Sequence, residues 1–149
     1  MAYSPASFSP QGTGSSEAVV SNYTNNSAIT AIPQGQACAV DTAGNIEPLD
    51  VSNQASWSAF VGYANVRIPT SALGPVIANG RLKNITISYP VGTALYIDTT
   101  GNPTNIPPSV GVNGFVSGDM CIFMGVVVQN ELNPSETDIA LFTQLIAVL

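Results

Sequence analysis

A short motif occurs twice in this chain. Pro33-Gln-Gly35 followed by Asp41-Thr-Ala-Gly44-Asn45 returns 57 residues later as Pro90-Val-Gly92 followed by Asp98-Thr-Thr-Gly101-Asn102. Farther on, Phe60-Val-Gly62 is answered by Phe123-Met-Gly125 at an offset of 63, and the six additional residues fit the Pro-rich loop over 102–114. Each copy reads as turn, strand, turn. Gly35 and Gly92 open a strand, and the Asp-Thr-X-Gly-Asn segments reverse it, because glycine adopts positive φ and aspartate bonds its own turn backbone. Two copies are too few for a stacked solenoid. The repetition therefore predicts two related β units, near residues 33–68 and 90–129, packed together in one core.

The rest of the sequence is punctuated in the same way. Val, Ile, Thr and aromatic residues come in short runs cut by 13 Gly and 11 Pro, the pattern of strands and turns. Strands are expected at 17–23, 28–32, 36–41, 57–68, 82–88, 94–98, 120–129 and 139–148. Residues 49–57 read as a loop or a short helix. The apolar run over 139–149 follows Ser135-Glu-Thr-Asp138, which resembles a capping box, so a helix is one reading. A strand is favoured because the run is apolar on both alternating faces and the remainder is β. Residues 1–14 carry Pro5, Pro10, Gly12 and Gly14 with Tyr3 and Phe8, a composition that builds no core, and are expected to form an extended N-terminal arm. At 149 residues the chain is one domain's worth. The expected fold is all-β, an antiparallel β-sandwich or small β-barrel over 15–149, preceded by the arm.

Composition narrows the function classes. Only 8% of residues are charged and the net charge is -6, with Arg67, Arg81 and Lys83 as the three bases. Nucleic-acid binding rests on clustered Lys and Arg that displace counterions, so DNA and RNA are poor ligands for this chain. There is no histidine, which removes a Ser-His-Asp triad and imidazole metal ligation. The apolar run over 139–149 falls well short of the roughly 20 residues of a membrane-spanning helix, and residues 1–20 show no secretory signal. No membrane association is expected. Solubility rests instead on 46 Asn, Ser, Thr and Gln residues. A surface so thinly charged suits lasting contact with neighbours, and a homo-oligomer is expected.

Asp41 and Asp98 occupy matched positions, but an aspartate before a Gly-Asn turn is ordinary turn chemistry, and the spacing of a calcium loop is absent. Lys83 beside Asn84 invites an isopeptide crosslink, although a lone lysine next to Gly80-Arg81 reads more simply as a solvated strand end. Gly111-Val-Asn-Gly114 lacks the Lys, Ser or Thr of a phosphate cradle. No catalytic residue, metal site or cofactor is expected, and the chain is not read as an enzyme. Cys38 and Cys121 sit in apolar runs and are expected to be buried free thiols. Trp57 and Tyr63 would share a face of the 57–68 strand, with Phe60 pointing into the core; that face is either a contact surface or a second core layer. In the arm, Tyr3 and Phe8 are candidates to dock on a neighbouring subunit.

The Met1-Ala-Tyr-Ser-Pro5 opening, the Val20-Ser-Asn-Tyr-Thr24 strand running into Ile32-Pro-Gln-Gly-Gln-Ala-Cys-Ala-Val-Asp-Thr-Ala-Gly-Asn45, and then Phe60-Val-Gly62 resemble the small capsid cement and decoration proteins of tailed bacteriophages. Phage head-fibre and tail-fibre modules are similar through Pro90-Val-Gly-Thr-Ala-Leu-Tyr-Ile-Asp-Thr-Thr-Gly-Asn102. The resemblance is diffuse over residues 15–129. It implies a structural virion protein made in the host bacterial cytoplasm and seated on the capsid surface. Its partners would be the major capsid protein and further copies of itself, often as a trimer. It implies no catalytic residue. The alternative is a fibre or receptor-binding module whose Ser, Thr and Asn loops recognise host surface glycans.

Overall fold

The structure, a computed structural model, describes residues 19–149. The arm expected over 1–14, with Tyr3 and Phe8, lies outside the described residues, as do the first two residues of the strand expected at 17–23. Nine strands and one short helix follow in chain order: β1 (Val19–Thr24), β2 (Ala37–Val40), β3 (Ile46–Pro48), α1 (Gln54–Trp57), β4 (Phe60–Ala64), β5 (Leu73–Leu82), β6 (Ala94–Ile97), β7 (Pro103–Thr104), β8 (Met120–Gln129) and β9 (Thr137–Val148). Every pairing between strands is antiparallel. The sheet runs β3-β2-β4-β5-β9-β8-β6-β7, with β1 on β5. It curls into a half-barrel, and the fold is all-β.

The two halves repeat one another down to single hydrogen bonds. The bulged pairing of β2 with β4 matches Ala37, Cys38 and Ala39 to Tyr63, Gly62 and Phe60. Its counterpart matches Ala94, Leu95 and Tyr96 to Val126, Gly125 and Phe123, with the bulge at the same place. The reversing turns are also alike. Asp41 Oδ1 accepts from the amides of Ala43 and Asn45, both at 2.9 Å, and Asp98 Oδ1 from those of Thr100 and Asn102 at 2.8 and 3.0 Å. The 63-residue offset extends to the last strand of each unit, since Tyr63↔Ile77 on β4–β5 becomes Val126↔Ala140 on β8–β9. The repeat is therefore longer than its sequence echo, with order β3-β2-β4-β5-β1 in the first unit and β7-β6-β8-β9-β5 in the second.

β5 joins the units by belonging to both. Its N-terminal part pairs with β4 and β1, whereas Gly80, Arg81 and Leu82 pair with Leu141, Ala140 and Ile139 of β9. The change of partner occurs at Gly80, whose φ of 97° lies where residues with side chains are strained. The main core closes between the units, with Tyr63, Ile77 and Leu82 meeting Leu95, Ile97, Ile122, Met124 and Ile139. A smaller cluster of Ile32, Cys38, Ile46, Ala64, Ile68 and Val76 backs the first unit.

Several expected elements differ. Residues 28–32 form a loop with a single bridge, Ile32↔Ile68. The expected 57–68 strand begins only at Phe60, and Trp57 instead ends α1, which starts where the Asn53 side chain accepts from the Ala55 amide at 3.0 Å. Residues 83–88 lie beyond the end of β5 rather than in a strand. The C-terminal run is strand, as favoured, because β8 offers it a full-length partner.

Candidate functional site

Cys38 and Cys121 are buried and unpaired. Burial pushes the Cys38 thiol from its usual value up to about 12, against a smaller lowering by the Ala64 backbone. Native protein at pH 8 is therefore expected to leave Cys38 unmodified by a thiol reagent that labels it fully in denaturant. Because the folded value lies above the unfolded one, the folded state also loses stability from Cys38 as pH rises above about 9 toward 12. Equal labelling rates with and without denaturant would show that the thiol is accessible.

The matched aspartates do not form a site. Each organises its own turn, and the turns stand at β2–β3 and β6–β7 in opposite halves of the sheet. Asp41 lies below the ordinary carboxylate value, chiefly because the Asn45 amide donates to it, with the Asn26 side chain and the Ala43 amide adding to the effect. Among the described residues, no group of three or more Cys, Asp or Glu side chains could hold a metal ion. Open depressions of about 220, 290 and 270 Å³ fall below the roughly 300–1,000 Å³ typical of small-molecule sites.

Sequence reasoning missed a polar cluster at the junction of the units. Asp138 is 1% exposed. It accepts from Arg81 Nη1 at 3.2 Å, from the Asn84 amide at 3.0 Å and from Asn130 Nδ2 at 2.9 Å. Arg81 also reaches Glu131 at 3.3 Å. The carboxylate holds the chain as it leaves β5 through Asn84, whose φ of 53° is left-handed. Its partners leave it no free face for a ligand, so its work is structural. Lys83 lines a depression alongside this cluster.

The two described aromatic candidates separate. Tyr63 is 0% exposed, stacks edge-on against Phe60 with centroids 5.3 Å apart, and shares a 2.7 Å hydrogen bond with Thr143 of β9. It is a core residue and not a contact residue, which corrects one of the two readings of its face. Trp57 is half-buried against the main core from α1, so the shared strand face does not exist.

Among the described residues, a continuous uncovered apolar stretch lies elsewhere, on the C-terminal half of β9. Phe142, Leu145, Ile146 and Val148 are each exposed, while β8 covers only one edge of this segment. Residues 142–148 contain no ionisable side chain. The apolar run was visible in the sequence, but its exposure was not. Comparison of the chain with protein-family models, with curated proteins and with solved structures returned no match.

Proposed function

We propose that this protein is a structural component of a bacteriophage particle, a cement or decoration protein that binds the major capsid protein and reinforces the head as a homo-oligomer. The observation that carries the reading is the bare, uncharged C-terminal half of β9, residues 142–148. A chain with 8% charged residues that leaves Phe142, Leu145, Ile146 and Val148 in water is suited to working under cover. The likeness of Met1–Pro5, Val20–Thr24, Ile32–Asn45 and Phe60–Gly62 to capsid decoration proteins supplies the kind of particle. Stabilisation would come from binding alone: a clamp touching several capsid subunits adds its contacts to the assembled state only, and multivalency raises its effective concentration there.

The test is to mix the purified protein with heads assembled from the major capsid protein of its own phage. Saturable co-sedimentation at a fixed ratio to capsid protein, with heads that resist higher temperature, is the expected result. Heads that sediment without it, or labelled protein located on fibres rather than on the shell, would overturn the assignment.

A further inference from the structure

The internal repeat exposes a leftover strand. In each unit, a segment pairs along the outer edge of that unit's last strand. In the first unit this is β1, with Val20↔Ile77 and Ser21↔Val76 on β5. In the second it is the stretch from residue 80 to 85, with Arg81↔Ala140 and Leu82↔Ile139 on β9. That stretch continues through the Ile85 amide, which donates to the Thr137 carbonyl at 3.1 Å, and through Thr137 Oγ1, which donates to the Ile85 carbonyl at 3.0 Å.

Residues 80–85 are also the direct continuation of the first unit's last strand. The 63-residue offset places their counterpart at 143–148, the continuation of β9. The counterparts differ in environment more than in chemistry. Leu82 is 0% exposed and its match Leu145 is 42% exposed; Ile85 is 5% exposed and its match Val148 is 54% exposed. Where β5 bends away at Gly80, β9 has Thr143, whose side chain disfavours positive φ and is tied to Tyr63. β9 therefore continues along β8, with register shifts opposite Cys121/Ile122 and Phe123/Gly125.

The vacant edge belongs to the same residues. On β5, β1 covers 73–79 and β9 covers 80–82. On β9, β5 stops at Leu141, and no described strand pairs with 142–148 on that side. The segment carries neither the charges nor the proline that usually guard an exposed edge; its devices are two register shifts, opposite Cys121/Ile122 and opposite Phe123/Gly125.

We propose that residues 142–148 of β9 pair antiparallel with the same residues of a second copy of this chain, about a twofold axis near Leu145. A segment of the kind that elsewhere covers a last-strand edge, and the last-strand edge that no described strand covers, are one stretch of chain, so a second copy satisfies both. The contact would bring Phe142 and Val148 together across the axis and join the two sheets through their β9 strands. This gives a twofold contact in place of the trimer that the family resemblance implies. It rests on the self-association part of the proposed function and is independent of capsid binding.

The test uses the full chain in a Cys121→Ser background, with the thiol of Leu145→Cys as reporter. Wild type should sediment at twice 15.4 kDa. Leu145→Cys should form a reducible covalent dimer on mild oxidation, since strand partners facing across a twofold lie within the roughly 4.4–6.8 Å Cα span of a disulfide. Leu132→Cys, on a loop and 95% exposed, should not. Leu145→Lys places like charges on the axis and should weaken the dimer at least about 10-fold while the far-UV spectrum stays β. A monomer at 100 µM (a concentration of order 10⁻⁴ M), a trimer, or a dimer without the Leu145→Cys crosslink overturns the proposal. So does a monomer that dimerises only after deletion of residues 2–18, which would mean that the chain's own N-terminal segment covers the edge. Retained dimerisation with no capsid binding would instead count against the virion reading alone.

Discussion

Gly125→Ala is expected to cost more than about 3 kcal/mol, enough to leave little native protein, and Gly62→Ala to do the same. These are equivalent positions in the two units, each opposite a residue of the bulged strand. A Cβ on Gly125 would run into the Ala140 carbonyl oxygen, and one on Gly62 into the Ile77 carbonyl oxygen. Both obstacles are backbone in the neighbouring last strand, so no side-chain rotation relieves them. Gly62 adds a φ of 142°. The control is Gly92→Ala, with a similarly positive φ of 93° but open space around the new methyl, where about 1–2 kcal/mol of backbone strain is expected. Urea titrations followed by far-UV circular dichroism would separate the three. A Gly125→Ala protein as stable as the Gly92→Ala control would show that the strands do not cross as closely as described.

Those two glycines were conspicuous in the sequence because the repeat preserves what cannot vary. The Asp-X-X-Gly-Asn turns were legible for the same reason: Asp41 and Asp98 organise their turns through bonds to amides two and four residues on, so the signal is local. β5 was illegible because its cues point the wrong way. Gly74, Pro75, Asn79 and Gly80 read as turn punctuation, yet Gly74 makes room for Ile68, Pro75 pairs with Asn22, and Gly80 is the bend between units. The 63-residue offset from Gly62 to Gly125, carried past the motif, would have found β5 as the match of β9.

The exposed apolar half of β9 was hinted at by composition and illegible in place. Low charge says that the surface is poorly guarded, but a run apolar on both faces looks the same whether its own chain buries it or leaves it exposed. The sequence overextends the strand over 57–68, which the structure limits to Phe60–Ala64, for a related reason. Trp57, Phe60 and Tyr63 carry strong β preference, and the local capping by Asn53 that turns Gln54–Trp57 into a helix outweighs it. Tyr63 then falls inside the core because the second unit packs over it, a contact some 80 residues away in sequence through Thr143.

Asp138→Ala is expected to destabilise the protein by about 3 kcal/mol, and this follows from what its removal strands rather than from the ion pair itself. A buried pair gains little net energy over apolar residues, whereas deleting one partner leaves the other uncompensated, typically at about 3–5 kcal/mol. The cost here should sit at the lower end, because Arg81 keeps 30% of its side-chain surface in water and retains Glu131. The Asn84 amide also loses its acceptor and Asn130 Nδ2 keeps only Asn84 Oδ1, and the left-handed Asn84 loses the bond that holds it in a strained conformation. Glu131→Ala, by contrast, removes an exposed partner and should cost less than about 1 kcal/mol. Denaturant midpoints of the two variants provide the comparison. A double replacement, Arg81→Met with Asp138→Leu, should recover part of the loss, since neither charge is then left buried alone. Recovery would locate the cost in the stranded arginine; a double variant weaker than Asp138→Ala would place it in the loop that Asn84 and Asn130 anchor to the start of β9.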